Sequence, residues 1–204
     1  MKVDSKAKLD KASRLERKEK IMAVSSVTFK QFATNNLTSP VKKSEFQKPV
    51  EQCEMVTKFC ETFKLPDENC NHSVFDEALA QKISSYKDNS IDPITDFLQT
   101  AKNEKEITAG LFLLNRTIDA GAKNVEKVYP FISKYNYSNS PNIEVMLSGI
   151  YRKTQVPDGF GPLMTMFLKN AENPKTKPFD PNEEIGGAIL EYLRNKSAVY
   201  NYLN

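Results

Sequence analysis

From residue 51 onward, apolar residues recur three or four positions apart, the spacing of one face of an α-helix. Val50, Cys53, Val56, Cys60 and Phe63 mark the first such face, and Leu65-Pro66-Asp67-Glu68-Asn69 ends it. Val74, Leu79, Ile83 and Tyr86 predict a second helix that stops near Asp88-Asn89. Ile94, Phe97, Leu98 and Ala101 predict a third, with Asp92 as its cap and Pro93 at its first position, where a missing N–H costs nothing. A helix over about Glu104 to Ala120 follows, stopped by Gly121, and its partner carries Val125, Val128, Phe131 and Ile132 with a kink at Pro130. Ser140-Pro141, Gly161-Pro162 and Asp180-Pro181 predict three more starts, the last with Glu183 placed to complete a capping box. No run of period two points to a strand.

The pattern repeats. Ile107-Leu111-Leu114-Arg116, Ile143-Leu147-Ile150-Arg152 and Ile185-Ile189-Tyr192-Arg194 place apolar residues nine, five and two positions before an arginine. The copies start 36 and then 42 residues apart, a unit length typical of stacked helical hairpins that cannot bury an apolar face alone. The second helices align as well: Val128, Phe131 and Ile132 match Met164, Phe167 and Leu168 at an offset of 36, and Ile94, Phe97 and Leu98 precede them by 34. The expected hairpins are therefore 73–102, 104–136 and 141–172, with a leading helix at 51–64 and a terminal half-unit at 181–204.

In hairpin size and in prolines at helix starts, the chain resembles the HEAT/armadillo class of α-solenoid repeats. The resemblance implies an all-α fold, a short right-handed array of antiparallel helical hairpins, and display of a surface to a partner. Such repeats carry an Asp and an Arg at set places in the second helix. Here the Arg closes the first helix and no Asp column accompanies it, so an irregular helical bundle stays open as the alternative architecture.

Charge divides the chain. Residues 1–50 hold twelve Lys/Arg against five Asp/Glu, a balance of +7, and residues 51–204 hold 17 against 21, a balance of −4. The expected organisation is a basic arm and linker over 1–50, partly disordered or helical, and an all-helical repeat domain over 51–204. The longest apolar run, Leu111 to Leu114, is far below the roughly 20 residues of a membrane span, and no apolar stretch follows the charged N-terminus as in an export signal. With three cysteines, an odd number, these features point to a cytoplasmic protein with reduced thiols.

Candidate chemistry is sparse. His72 is the only histidine and lies within twenty residues of Cys53, Cys60 and Cys70. Zinc would use such ligands, but Cys53 and Cys60 are about 10 Å apart along a helix, which also prevents a disulfide between them. Two buried thiols on an apolar face and a loop histidine are the expected arrangement, with a bond from Cys70 to a helix cysteine as the lesser alternative. Gly159-Phe160-Gly161 and Gly186-Gly187 lack the spacing of a phosphate loop. The second pair lies inside a helix, which calls for close approach of a neighbouring helix. No acid–base pair emerges, so no catalytic, cofactor or metal residue is assigned and no enzyme is expected.

Two features bear on partners. Arg116, Arg152 and Arg194 share one repeat position and, if the helices stack, form a row suited to carboxylates or phosphates. The same arginines also sit where they offset a helix C-terminal dipole. The basic arm would contact nucleic acid or an anionic surface, although aromatics are nearly absent from residues 1–28 and Asp4, Asp10, Glu16 and Glu19 dilute its field. The expected function is a non-enzymatic protein-interaction or scaffold module. Its anchors would be Tyr151, Phe160, Tyr192 or Tyr200 together with the arginine row. Nucleic-acid binding through residues 1–50 is the alternative.

Overall fold

The computed structural model describes residues 44–174, 179–195 and 203. The basic arm up to residue 43 lies outside the described residues, as does Tyr200. Contacts divide the chain into two units at Glu45/Phe46, and nearly all of the described residues belong to the second unit.

That unit is all-α. Its helices are α1 (Ser44–Thr62), α2 (Glu77–Ser85), α3 (Asp88–Thr100), α4 (Glu104–Asp119), the single turn α5 (Tyr129–Ile132), α6 (Pro141–Thr154), α7 (Phe160–Glu172) and α8 (Asn182–Arg194). Short 3₁₀ turns flank α5 and precede α7. Among the described residues there is no strand, only an isolated antiparallel bridge between Lys64 and Val74 that closes the loop after α1.

The helix starts follow local chemistry. At α4, the Glu106 N–H donates to Asn103 Oδ1 at 2.9 Å, while the Glu106 carboxylate accepts from the N–H of Lys102 at 2.7 Å. That reciprocal cap also holds the Glu106 carboxyl below the usual carboxylate range, chiefly through the Lys102 N–H. Ser140 caps α6, accepting from the Ile143 N–H, with Pro141 in its first turn. The end of α4 is a Schellman turn. The N–H of Ala122 reaches the Thr117 carbonyl at 3.2 Å and that of Gly121 reaches Ile118 at 2.9 Å, with Gly121 at φ +95°.

Several starts differ from the sequence reading. α1 begins at Ser44, ahead of the expected residue 51. Pro93 lies inside α3, five residues past its start, and is buried. The Asn89 and Ser90 N–H groups are taken by Tyr86 and Lys87 carbonyls, and Ser90 Oγ donates to Ile83 O. The chain thus turns from α2 into α3 with no room for a fresh start at Asp92. Asp88 instead accepts from the N–H groups of Lys123 and Asn124 at 2.7 and 2.9 Å, which lowers its carboxyl pKa. Pro130 starts α5 and kinks no longer helix. At α8, Asp180 receives the Asn182 N–H at 2.9 Å, and no side-chain cap from Glu183 forms because Pro181 holds the cap position.

α4 packs on α6 and α6 on α8, with α3 against α4 and α7 against α8. Of the nine repeated apolar positions, Leu111, Leu114, Ile143, Leu147, Ile150, Ile185 and Tyr192 are buried, and Ile107 and Ile189 are partly buried. The alignment of the second helices holds between α3 and α5, where Ile94, Leu98, Val128 and Ile132 are buried, and fails at α7. There the inward face is Leu163, Met166 and Asn170, and Leu168 is 56% exposed. The reason is polar: Asn170 faces the wholly buried Glu144 of α6 and donates to its carboxylate at 2.7 Å, with Lys169 on the same carboxylate at 2.5 Å.

Asn115 of α4 makes another rung, donating through Nδ2 to the Met146 carbonyl of α6 at 2.8 Å and accepting from Lys153 at 3.2 Å. Gly186 and Gly187 meet no close backbone. A methyl group there would find Phe167 at 3.5 Å and Arg152 at 3.7 Å, ordinary contact distances. Crowding is found instead at Gly110, where a methyl would lie 2.6 Å from the Leu98 side chain, and at Gly159, where it would lie 2.5 Å from the Tyr192 hydroxyl and 2.6 Å from the Tyr151 ring.

Candidate functional site

Four phenylalanines form the end of the core where α1 meets α4. Phe59 and Phe63 come from α1, Phe75 from the loop before α2, and Phe112 from α4; the Phe75 and Phe112 ring centroids are 4.4 Å apart. Phe112 is one residue off the stripe defined by Leu111 and Leu114, so its ring is partly exposed beside that core. Val145 and Met146 stand in the same relation to Leu147 on α6. Between these residues, Phe179 and the loop after α1, the surface opens into a cleft of about 460 Å³. Its floor is apolar: Phe75, Phe112, Val145, Met146 and Phe179. One lip carries Asp180, Glu183 and Glu184 from the start of α8, and the other carries Asn71 and His72. Its volume falls within the range of about 300–1,000 Å³ usual for ligand-binding sites.

The residues expected to bind partners lie elsewhere. Tyr151 and Tyr192 are fully buried. The Tyr151 hydroxyl donates to Asn136 Oδ1 at 2.5 Å and the Tyr192 hydroxyl to the Val156 carbonyl at 2.6 Å. Burial first, and Tyr129 next, raise both phenol pKa values well above the usual range. Both are core tyrosines with satisfied hydroxyls, and neither faces a groove. Phe160 is partly buried and packs against Tyr192 at 5.7 Å between centroids.

The arginines share a repeat position without sharing a partner. Arg116 pairs with Glu77 of α2, Arg152 with Glu184 of α8 at 3.3 Å, and Arg194 with Glu191 of its own helix at 2.7 Å. All three lie in the last turn of their helices, the place that offsets the dipole. Arg152 reaches the acidic lip of the cleft through Glu184.

The cysteines do not gather. Cys53 is exposed rather than on the buried face, Cys60 is buried, Cys70 is intermediate, and all three are free thiols. Burial pushes the Cys60 thiol up to about 12, with the nearby Glu106 adding to it. Among the described residues, no three His, Cys, Asp or Glu side chains are placed to hold one metal ion. Cys70 and His72 do meet, with Sγ 3.6 Å from Nδ1 and 3.5 Å from Nε2. Being nearly equidistant from both nitrogens, the sulfur lies along neither lone pair, unlike a nucleophile aligned with its base.

No family model, curated protein or solved structure matches this chain. Among the described residues, no helix is long and apolar enough to cross a membrane.

The sequence reading missed the cleft, although part of the signal was present. Phe112, Val145 and Met146 are large apolar residues just off the core stripe, where a solvated face would carry polar ones. Phe75 and Phe179 lie in connecting segments, and nothing in their spacing announces that they converge.

Proposed function

We propose that the helical body is a non-enzymatic protein-interaction module, a short HEAT-like repeat array working in the cytoplasm. One observation carries this reading. The apolar cleft is assembled from α4, α6 and the approach to α8, successive rungs of one row of stacked helices. Such a row holds its surface rigid, so binding costs little ordering of the receptor. Three unbridged thiols fit a reducing compartment.

Affinity capture with the full-length chain tests it, alongside a Val145→Trp variant that fills the cleft and is checked for folding by circular dichroism. A protein partner lost with the cleft variant supports the module. The rival, nucleic-acid binding through residues 1–50, predicts capture of nucleic acid that falls steeply with salt and ignores the cleft variant.

A further inference from the structure

We infer that the cleft receives a polypeptide segment presenting a large apolar side chain flanked by lysine or arginine. This rests on the interaction-module reading and adds the chemistry of the partner.

The floor calls for an apolar anchor. Phe112 and Phe75 contribute aromatic surface, and Met146 is a flexible side chain that reshapes around different occupants. The cleft is partly open to solvent, and its lining comes from four separate stretches: the loop after α1, α4, α6 and the start of α8. An open, multi-sided floor suits one face of a chain segment, with buried aromatic or aliphatic anchors supplying most of the affinity.

The lip fixes the sign of the flanking charge. Three carboxylates stand along it, and among the described residues lining the cleft there is no lysine or arginine. Arg152 engages one of them, Glu184, from outside the cleft at 3.3 Å. Asp180 accepts the Asn182 N–H. Glu183 is exposed and has no ion pair among the described residues. Negative charge beside an apolar floor favours a cation adjoining the anchor and repels an acidic segment, which gives selectivity as well as attraction.

The test is selection of random peptides displayed on phage against the full-length chain, then fluorescence anisotropy with the selected peptides. The expected pool carries a Phe, Leu, Ile or Met within a few residues of Lys or Arg. Glu183→Lys should weaken binding about tenfold and Glu183→Gln by less, with the loss shrinking at high salt. Glu126→Lys, on the exposed turn before α5, should change nothing. Val145→Trp, or Met146→Trp should the first variant fail to fold, should reduce affinity by about thirtyfold or more. Peptides that bind the cleft-filled variants undiminished would overturn the inference and leave a module with another surface. Neutral or acidic peptides displaced by those variants would overturn the charge selectivity alone. Recovery of no peptide at all would count against the module as well.

Discussion

The hydroxyl of Tyr192, near the end of α8, donates to the carbonyl of Val156 in the turn between α6 and α7 at 2.6 Å. The bond thus ties α8 to the turn that joins α6 and α7. The same carbonyl accepts the Gly159 N–H at 2.9 Å, so removing the hydroxyl leaves no orphaned acceptor. Tyr192→Phe should therefore cost only about 1 kcal/mol, seen as a Tm lower by about 2–4 °C in a chain of this size.

Two glycines should respond to alanine with opposite signs. At Gly159 the new methyl would lie 2.5 Å from the Tyr192 hydroxyl and 2.6 Å from the Tyr151 ring, and Gly159→Ala should destabilise by about 1–3 kcal/mol. At Gly187, inside α8, the nearest atom is 3.7 Å away, and Gly187→Ala should stabilise by about 0.5–1 kcal/mol. Urea denaturation of both variants reads the difference directly. A Gly187→Ala loss would mean that the added methyl meets a neighbour more closely than the 3.7 Å to Arg152.

The Glu144 carboxylate has no exposed surface and is held by Lys169 and Asn170. Lys169→Met removes one charged partner of that carboxylate while Asn170 stays on it, and should cost about 1.5–3 kcal/mol. Glu144→Gln combined with Lys169→Met should cost clearly less than the two single changes added together. A double-mutant cycle by chemical denaturation measures the coupling, and additivity would mean that the pair is not a pair in solution.

The Cys60 thiol gives an alkaline limb to stability. Its pKa is raised from 9.0 to about 12 by burial, so the folded state favours the protonated form. The stabilisation is complete below pH 9 and is lost as pH rises through about 12, corresponding to up to about 4 kcal/mol. Cys60→Ala should flatten that limb, while lowering stability at neutral pH through the cavity it leaves. In thiol labelling of the native protein near pH 8, Cys53 and Cys70 should react and Cys60 should wait for denaturant.

Arg152 and Glu184 join α6 to α8 across solvent, with side chains 40% and 48% exposed. Their coupling should stay below about 1 kcal/mol and shrink with salt. Charge reversal of Arg152 should then leave the fold nearly as stable as before. A coupling of several kcal/mol would make the ion pair a structural element of the fold.

The helical layout was legible because it rests on local chemistry. Ser140-Pro141 and Gly121 signal helix ends through hydrogen bonds within a few residues, and the structure places ends at each. The repeated apolar spacing likewise named residues that are buried, Ile107 and Ile189 only partly. Tyr192 itself occupies the repeat position of the buried Leu114 and Ile150, so the period already marked it as core despite its polar tip. Tyr151 follows Leu147 by four residues and falls on the same inward face. What local pattern could not supply was convergence. Pro93 is carried into α3 by bonds reaching back to α2. The cleft joins side chains from residue 66 to residue 184, and its acidic lip depends on how α8 meets α6.

Asn115 holds α6 through the backbone carbonyl of Met146, not through its side chain. The side chain of that same residue lines the cleft. Position 146 can therefore be respelled, to leucine or isoleucine for instance, without touching the bond that keeps the two helices in register. The bond that keeps α4 and α6 in register and the lining of the cleft thus rest on different atoms of one residue, so the lining can change while the frame stays.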